Sequence, residues 1–327
     1  MSGRPPTFSI AIAAYQGAST IAEAVESALA QTLPPVEIVV CDDGSTDELE
    51  AALKPFRDRI VFVRQEHGGA AAAKNTAARA TTGDFVAFLD ADDLYYPRRL
   101  EALAGLAAAR PELDVLTTNA DLEIDGEVVA TYYPDVAQFP AADQAVAVIA
   151  NDSAIFGAAA IRRGVFEASG GLNEELRSGD DWELWMRLTL AGSAIGLVDE
   201  VLYRYRVHEL GMSSDQLVGA RAAVRLFEGV LPLAEPGTRE HSALEAALAA
   251  HRRNAALTEA EHALRIHAPG RRSRSLAIAR DASFRPRTRF KALFAAALPA
   301  ISSDLLERRE RRSGLSRLRK PMPSSKR

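Results

Sequence analysis

Phe85-Val86-Ala87-Phe88-Leu89-Asp90-Ala91-Asp92-Asp93 is a short apolar run that ends in three carboxylates within four residues. The run is continuous instead of alternating, which suits a strand covered by helices on both faces. Working outward, Phe8–Ala13, Val36–Cys41, Ile60–Arg64 and Leu113–Thr118 read as strands of the same kind. Between them fall helical segments. The first opens on Thr20-Ile21-Ala22-Glu23, spelled as a capping box; the next are Thr46–Phe56 and Gly69–Ala80, then a helix through Ala109 with Pro97 in its first turn. Repeated βαβ units with right-handed crossovers predict an α/β protein with a doubly wound, mostly parallel sheet and helices on both faces. Ligands of such sheets bind outside the carboxyl ends of the strands.

After residue 119 the rhythm changes. Leu122–Ile124 and Glu127–Thr131 flank Asp125-Gly126, a two-residue hairpin signal, and mixed structure continues to Met212. Beyond Asp215 the chain reads as helix, alanine-rich and then arginine-rich, and Arg308–Arg327 reads as frayed or disordered. The 327 residues are 47% hydrophobic and 25% charged, which excludes collagen-like, coiled-coil and wholly disordered chains. The longest uncharged apolar stretch, Ala292–Ile301, is about half of the ~20 residues a bilayer span needs. The first residues have no secretory pattern, and the single cysteine, Cys41, cannot form an internal disulfide. A cytoplasmic location is expected, with a peripheral place at the inner face of the membrane as its variant. Charge is uneven: residues 1–251 carry 19 Lys and Arg against 38 Asp and Glu, and residues 252–327 carry 20 against 6.

Three carboxylate clusters fall at the strand ends or in the later half. Asp42-Asp43-Gly44-Ser45-Thr46-Asp47 could be a turn with a helix cap, since all its residue types favour both. Asp90-Ala91-Asp92-Asp93 holds more acid than a cap needs, and its carboxylates repel unless a cation or many donors sit among them. An Asp-x-Asp pair there suits Mg²⁺ or Mn²⁺, completed by substrate phosphates. In Ser178-Gly179-Asp180-Asp181-Trp182-Glu183-Leu184-Trp185, Ser178 and Asp181 could form a capping box over a tryptophan-lined core; Asp181 could equally be a general base.

Taken in order, these segments resemble the family 2 glycosyltransferases of GT-A fold. Ser9–Tyr15 is similar to the family's opening strand, Ser27–Thr32 to its Ser-x-Leu-x-Gln-Thr helix end, and Asp42–Asp47 to its Asp-Asp-Gly-Ser-x-Asp signature. Lys74-Asn75 resembles its Arg-Asn pair, and Gly83–Asp93 the strand leading to the Asp-x-Asp motif. Gly170–Glu174, Asp180–Arg187 and Tyr203–His208 resemble the sequences near the catalytic base and at the domain's end. The resemblance covers residues 8–208. It implies an inverting transfer from a nucleotide-diphosphate sugar, UDP-linked in first place, to a glycan or lipid-linked acceptor. Residues 1–212 would form the transferase domain, 1–100 for the nucleotide sugar and 101–212 for the acceptor, with 213–327 a helical extension. Tyr15 would stack on the base with Ala13 in the same pocket, Asp43 would accept from an imide N–H of the base, Lys74 would belong to the nucleotide site, and Asp90 would lie near the ribose and donor sugar. Asp92 would hold Mn²⁺ or Mg²⁺, with Asp93 beside it and His208 as a further candidate, and Asp181 would be the general base.

The chain departs from the family pattern at three points: Ala13-Ala14 for a Pro-Thr type pair, Lys74 for arginine, and Asp180 for glutamate. His67 reads as a loop residue. No Gly-x-Gly-x-x-Gly follows the first strand, against a dinucleotide dehydrogenase, and Tyr15-Gln16-Gly17-Ala18 is not the glycine-rich basic loop of a nucleotidyltransferase. An inactive sugar-nucleotide-binding module or scaffold subunit is the alternative, but such a copy has no physical need of both Asp92 and Asp181. The basic runs Arg271–Arg274 and Arg308–Arg312 could lie on an anionic membrane or pack on the acidic body; nucleic acid is not expected, because few aromatics sit between the arginines.

Overall fold

The computed structural model describes residues 4–133, 142–150, 155, 158–207, 216–299 and 302. Four parallel strands lead the fold in spatial order: β3 (Val61–Arg64), β2 (Ile38–Asp42), β1 (Phe8–Ala14) and β4 (Phe85–Asp90). Their register brings Ala14 beside Asp42 and Ala13 beside Asp90, so three chain segments leave the sheet at one edge. Alternate residues of β1 explain why the strand is apolar throughout. Ile10, Ile12 and Ala14 enter a cluster with Ile21, Val25 and Ala28 of α1 (Ile21–Leu29) and Leu100 and Leu103 of α4 (Arg99–Ala109). The alternate residues Ser9 and Ala11 are buried too, and α3 (Ala70–Arg79) packs on β1 and β2. The second helix, α2, is shortened to Leu49–Leu53 and closes in a 3₁₀ turn through Phe56.

The rest of the sheet departs from a simple series. Leu113–Thr118 is the start of a longer strand, β6 (Leu113–Ile124), which turns at Asp125 and Gly126 (φ 53° and 82°) into β7 (Glu127–Thr131). A three-residue strand, β8 (Ala160–Arg162), lies antiparallel between β4 and β6. β9 (Ala194–Arg206) runs parallel to β6 and takes the two-residue β5 (Leu94–Tyr95) on its other side. The sheet has nine strands, in which β5, β7 and β8 run against the others; it is mostly parallel, as expected.

Two expected capping boxes do not form. At α1 the Glu23 carboxylate is drawn away to Arg206, 2.5 Å distant, and the Thr20 hydroxyl turns to the Gly17 carbonyl. At α7 (Asp180–Leu190) the cap position is Gly179, in the left-handed region, and not Ser178; the Asp181 carboxylate accepts from the next backbone N–H instead. Pro97 stands in the turn before α4, where its carbonyl accepts from Thr32 N–H at 2.8 Å.

By contacts the chain divides into two units, Met1–Met212 with Gly229–Leu244, and Ser213–Glu228 with Glu245–Arg327. The first also contains α5 (Gln144–Ala150), which packs on α7, and α6 (Arg163–Ala168). Beyond residue 215 the described chain is helical, as expected: α8 (Gln216–Val230), α9 (Arg239–Arg265), α10 (Arg271–Arg280) and α11 (Pro286–Ala297). Ala260, Ile278, Phe284 and Ala292 form a small core among the last three. The expected disorder of Arg308–Arg327 lies outside the described residues. No helix among the described residues is long and apolar enough to cross a membrane.

Candidate active site

At the carboxyl ends of β1 and β2 the acidic turn is held by its own residues. Asp42 accepts from Ser45 N–H at 2.8 Å and its other oxygen lies 3.4 Å from the Arg64 guanidinium. Gly44 has φ +75°, and a Cβ there would stand 2.9 Å from the backbone nitrogen of His67, so this loop approaches its neighbour only with glycine. The buried Asp43 carboxylate anchors that neighbouring loop. Its oxygens accept from Gln65 Nε2 (2.7 Å) and from the backbone N–H groups of Gly68 and Gly69 (2.8 Å each), and one lies 2.9 Å from His67 Nδ1. These four contacts fill the roughly four lone-pair sites of a carboxylate. Tyr15, at the end of β1, is half exposed and stacks on the His67 ring with centroids 4.2 Å apart. His67 therefore belongs to this site and is not the simple loop residue its sequence suggests; the pair of glycines behind it was the available signal.

The Asp-x-Asp turn is fixed from below. Both Asp93 oxygens are engaged, Oδ1 by Arg206 N–H at 2.8 Å and Oδ2 by the Tyr203 hydroxyl at 2.7 Å. Burial, with the charges of Asp90 and Asp92, pushes its carboxyl well above the usual range. Tyr203 in turn lies on the fully buried Arg99, whose guanidinium also faces the Tyr95 ring and bonds to Thr118 Oγ1 and to the Ala158 carbonyl. Tyr203 opens a segment the sequence marks as family-like, but its bond to Asp93 is a long-range contact no motif spells out, and Arg99 carries no motif because a first-turn arginine is ordinary there. Asp90 and Asp92, both partly exposed, complete the turn.

Lys74, on α3, reaches across to Asp90, with Nζ 2.7 Å from Oδ1. Burial works against its charge, but Asp90, Asp180 and Asp181 outweigh burial and hold the ammonium above its ordinary range. Lys74, Phe88, Leu172, Asp180, Asp181 and Trp185 line one crevice. Burial pushes the Asp181 carboxyl up to about 6, with the charge of Asp180 adding to it and Lys74 and the Trp182 N–H opposing. Its place at the amino end of α7 also favours the anion.

Two sequence segments about a hundred residues apart hold α7 in place. Asn75 is buried and clasps the loop before α7: its Nδ2 donates to the Leu172 carbonyl (2.9 Å) and to Glu174 (2.8 Å), and its Oδ1 accepts from Leu172 N–H (2.8 Å). Arg187 of α7 donates back to the carbonyls of Ser169 and Gly171, at 2.7 and 2.5 Å. Trp182 Nε1 donates to the Val148 carbonyl of α5 at 2.6 Å. The structure thus brings Lys74, Asp90 and Asp181 to one place, and Tyr15 and Asp43 to the adjoining strand ends, with Ala13 between, opposite Asp90 in the register. His208 lies outside the described residues. Among the described residues no three His, Cys, Asp or Glu side chains are grouped closely enough to hold a metal by themselves.

Comparisons with known proteins give the chain its family and fold. The sequence model of "Glycosyl transferase family 2" matches residues 9–170. An uncharacterized glycosyltransferase of Rickettsia prowazekii is 30% identical over 238 residues, 69% of this chain and 72% of that protein. Residues 1–349 of S. aureus TarS, solved with UDP-GlcNAc, superpose with a TM-score of 0.61 at 20% identity, covering 94% of this chain and 92% of that one. A mannosyltransferase of Pyrobaculum calidifontis, solved with GDP-Man and Mn²⁺, gives 0.55 at 22% identity, covering 92% and 88%. On the family match, the bacterial relative and the shared GT-A architecture, this chain belongs to glycosyl transferase family 2 and is a glycosyltransferase.

Proposed function

We propose that the enzyme moves a sugar from a nucleoside-diphosphate sugar, a UDP-sugar in first place, to a hydroxyl of a glycan or lipid-linked acceptor, with inversion at the anomeric carbon. The observation that carries this is Asp181, a carboxylate with its pKa raised to about 6 that shares one crevice with Lys74, itself paired to Asp90 at the end of β4. In the reaction the acceptor oxygen forms its bond to the anomeric carbon and gives its proton to Asp181. The bond from that carbon to the β-phosphate oxygen breaks, and the nucleoside diphosphate leaves with the electron pair. One base opposite the leaving group, and no covalent intermediate, gives inversion. Proton removal of this kind contributes roughly 10²–10⁴-fold, and alignment of donor with acceptor supplies part of the remainder.

The other roles follow from position. Tyr15, with Ala13 behind it, offers a stacking face for the nucleobase. Asp43 can only accept, which suits an imide N–H; since its oxygens are already engaged, the base would take the place of the half-exposed His67 contact. Lys74 and Asp90 lie on the path from ribose to donor sugar. Asp92 supplies hard oxygens at the mouth of the turn and suits Mn²⁺ or Mg²⁺ with phosphates completing the shell, while Asp93, held on both oxygens by β9, aims the turn. Such an ion, when bound, neutralises charge on the departing diphosphate. That TarS was solved with UDP-GlcNAc, and the archaeal mannosyltransferase with GDP-Man and Mn²⁺, supports a nucleotide-sugar donor for this fold.

Calorimetric titration with UDP, with and without Mn²⁺, tests the donor site. The expected result is binding that tightens with Mn²⁺ in the wild type and loses that tightening in Asp92→Ala. Failure of UDP, GDP and dTDP alike to bind would replace this reading with that of a scaffold subunit.

A further inference from the structure

The C-terminal unit contains a helix with its small residues inside and its large ones outside. In α11, Ala292 and Ala296 are buried, and Ala292 joins the core made with Ala260, Ile278 and Phe284. Phe290 is 71% exposed, Leu293 52%, Phe294 40% and Leu298, just past the helix, 45%. The spacing i, i+3 and i+4 puts Phe290, Leu293 and Phe294 on one helix face, and Leu298 follows its end. Phe290 and Leu293 line an open groove of about 380 Å³ with Leu276 and Ala279 of α10, and Arg280 and Arg289 line it too. Single exposed apolar side chains are ordinary, but a contiguous row marks an interaction surface. Residues 282–303 carry four Lys and Arg and no Asp or Glu.

We propose that this α10–α11 face docks on an anionic lipid membrane, with Phe290, Leu293, Phe294 and Leu298 entering the acyl boundary and the adjacent arginines and lysine meeting the headgroups. A second copy is a poor occupant, because apposing two such faces sets cation against cation. An anionic bilayer satisfies both characters at once, the apolar row by burial and the basic flank by charge. The assignment stands on the C-terminal unit alone and is independent of the transfer reaction. It sharpens the sequence expectation, in which the basic runs lie beside the apolar segment Phe290–Ile301, by naming the exposed face of α11 as the part that enters.

The test is co-sedimentation of the full chain with phosphatidylcholine vesicles, and with vesicles containing roughly one third phosphatidylglycerol. The expected result is binding to the anionic vesicles only, weakened about tenfold or more by Phe290→Glu combined with Leu293→Glu. Both side chains are exposed, so the variant keeps its circular dichroism and its affinity for UDP. Absence of wild-type binding overturns the proposal. Undiminished binding of the double variant also overturns it, assigning attachment to the arginine-rich chain beyond residue 302. So does a wild-type dimer that the double variant dissolves without any affinity for vesicles.

Discussion

A carboxylic acid that gains its proton near pH 6 serves as a base only above that pH. Burial and the charge of Asp180 raise the Asp181 carboxyl to about 6, so its reactive form, the anion, is lost as pH falls through that value. Transfer should rise about tenfold per pH unit below 6 and level off above it, in initial rates measured at saturating donor. Asp181→Asn should lower kcat by roughly 10²–10⁴-fold, remove that rising limb and leave UDP affinity unchanged; an intact limb in the variant would place the titrating base elsewhere. Tyr203→Phe probes the support under the Asp-x-Asp turn. It deletes the hydroxyl that donates to the buried Asp93 carboxylate, at a cost of about 1–3 kcal/mol in urea unfolding. The same change should weaken Mn²⁺-dependent UDP binding more than metal-free binding, because Asp93 shares its turn with Asp90 and Asp92 and its N–H donates to the Asp90 carbonyl at 3.1 Å.

At the scale of elements, α7 carries Asp181 but is positioned by a loop and by another helix. Gly171 has φ +82°, and a Cβ on it would stand 2.5 Å from Asn75 Oδ1. Gly171→Ala should therefore loosen the clasp between α3 and the loop before α7, costing about 2–3 kcal/mol in denaturant unfolding and reducing kcat more than donor affinity. That clasp shows what the sequence could and could not convey. The strands β1 to β4 were legible because each is a bounded apolar run, and the acidic strand ends because the sheet rule says where ligands lie. The three-residue β8 and two-residue β5 have no period to detect, and the antiparallel insertion of β8 is decided by tertiary packing. The two capping boxes were spelled in sequence, yet Glu23 is held by Arg206, 183 residues away, and Asp181 faces the crevice of Lys74. In both cases a long-range partner overrides a local preference. Lys74-Asn75 and Gly170–Glu174 were recognisable as separate motifs, but that one holds the other is a fact of three dimensions alone.

For the whole molecule, the placement of two side chains makes the two units separately observable. The chain has two tryptophans, Trp182 and Trp185, and both lie buried in α7 within the unit that contains the candidate site. Indole fluorescence therefore follows that unit, whereas far-ultraviolet ellipticity also follows the helical C-terminal unit. A ligand that binds only the folded form stabilises by RT ln(1 + [L]/Kd), about 2.7 kcal/mol at a concentration of about 100 Kd. With a urea dependence of roughly 1–3 kcal/mol/M, UDP with Mn²⁺ should raise the fluorescence midpoint by about 1–3 M. Asp92→Ala should lose the part of that shift that depends on Mn²⁺. A Phe290→Glu and Leu293→Glu variant should show the full shift, since neither residue belongs to the unit that contains the candidate site. If the fluorescence midpoint fails to move with saturating UDP and Mn²⁺, the strand ends around Asp43 and Asp92 do not hold the donor, and the roles given to Tyr15, Lys74 and Asp90 fall with them.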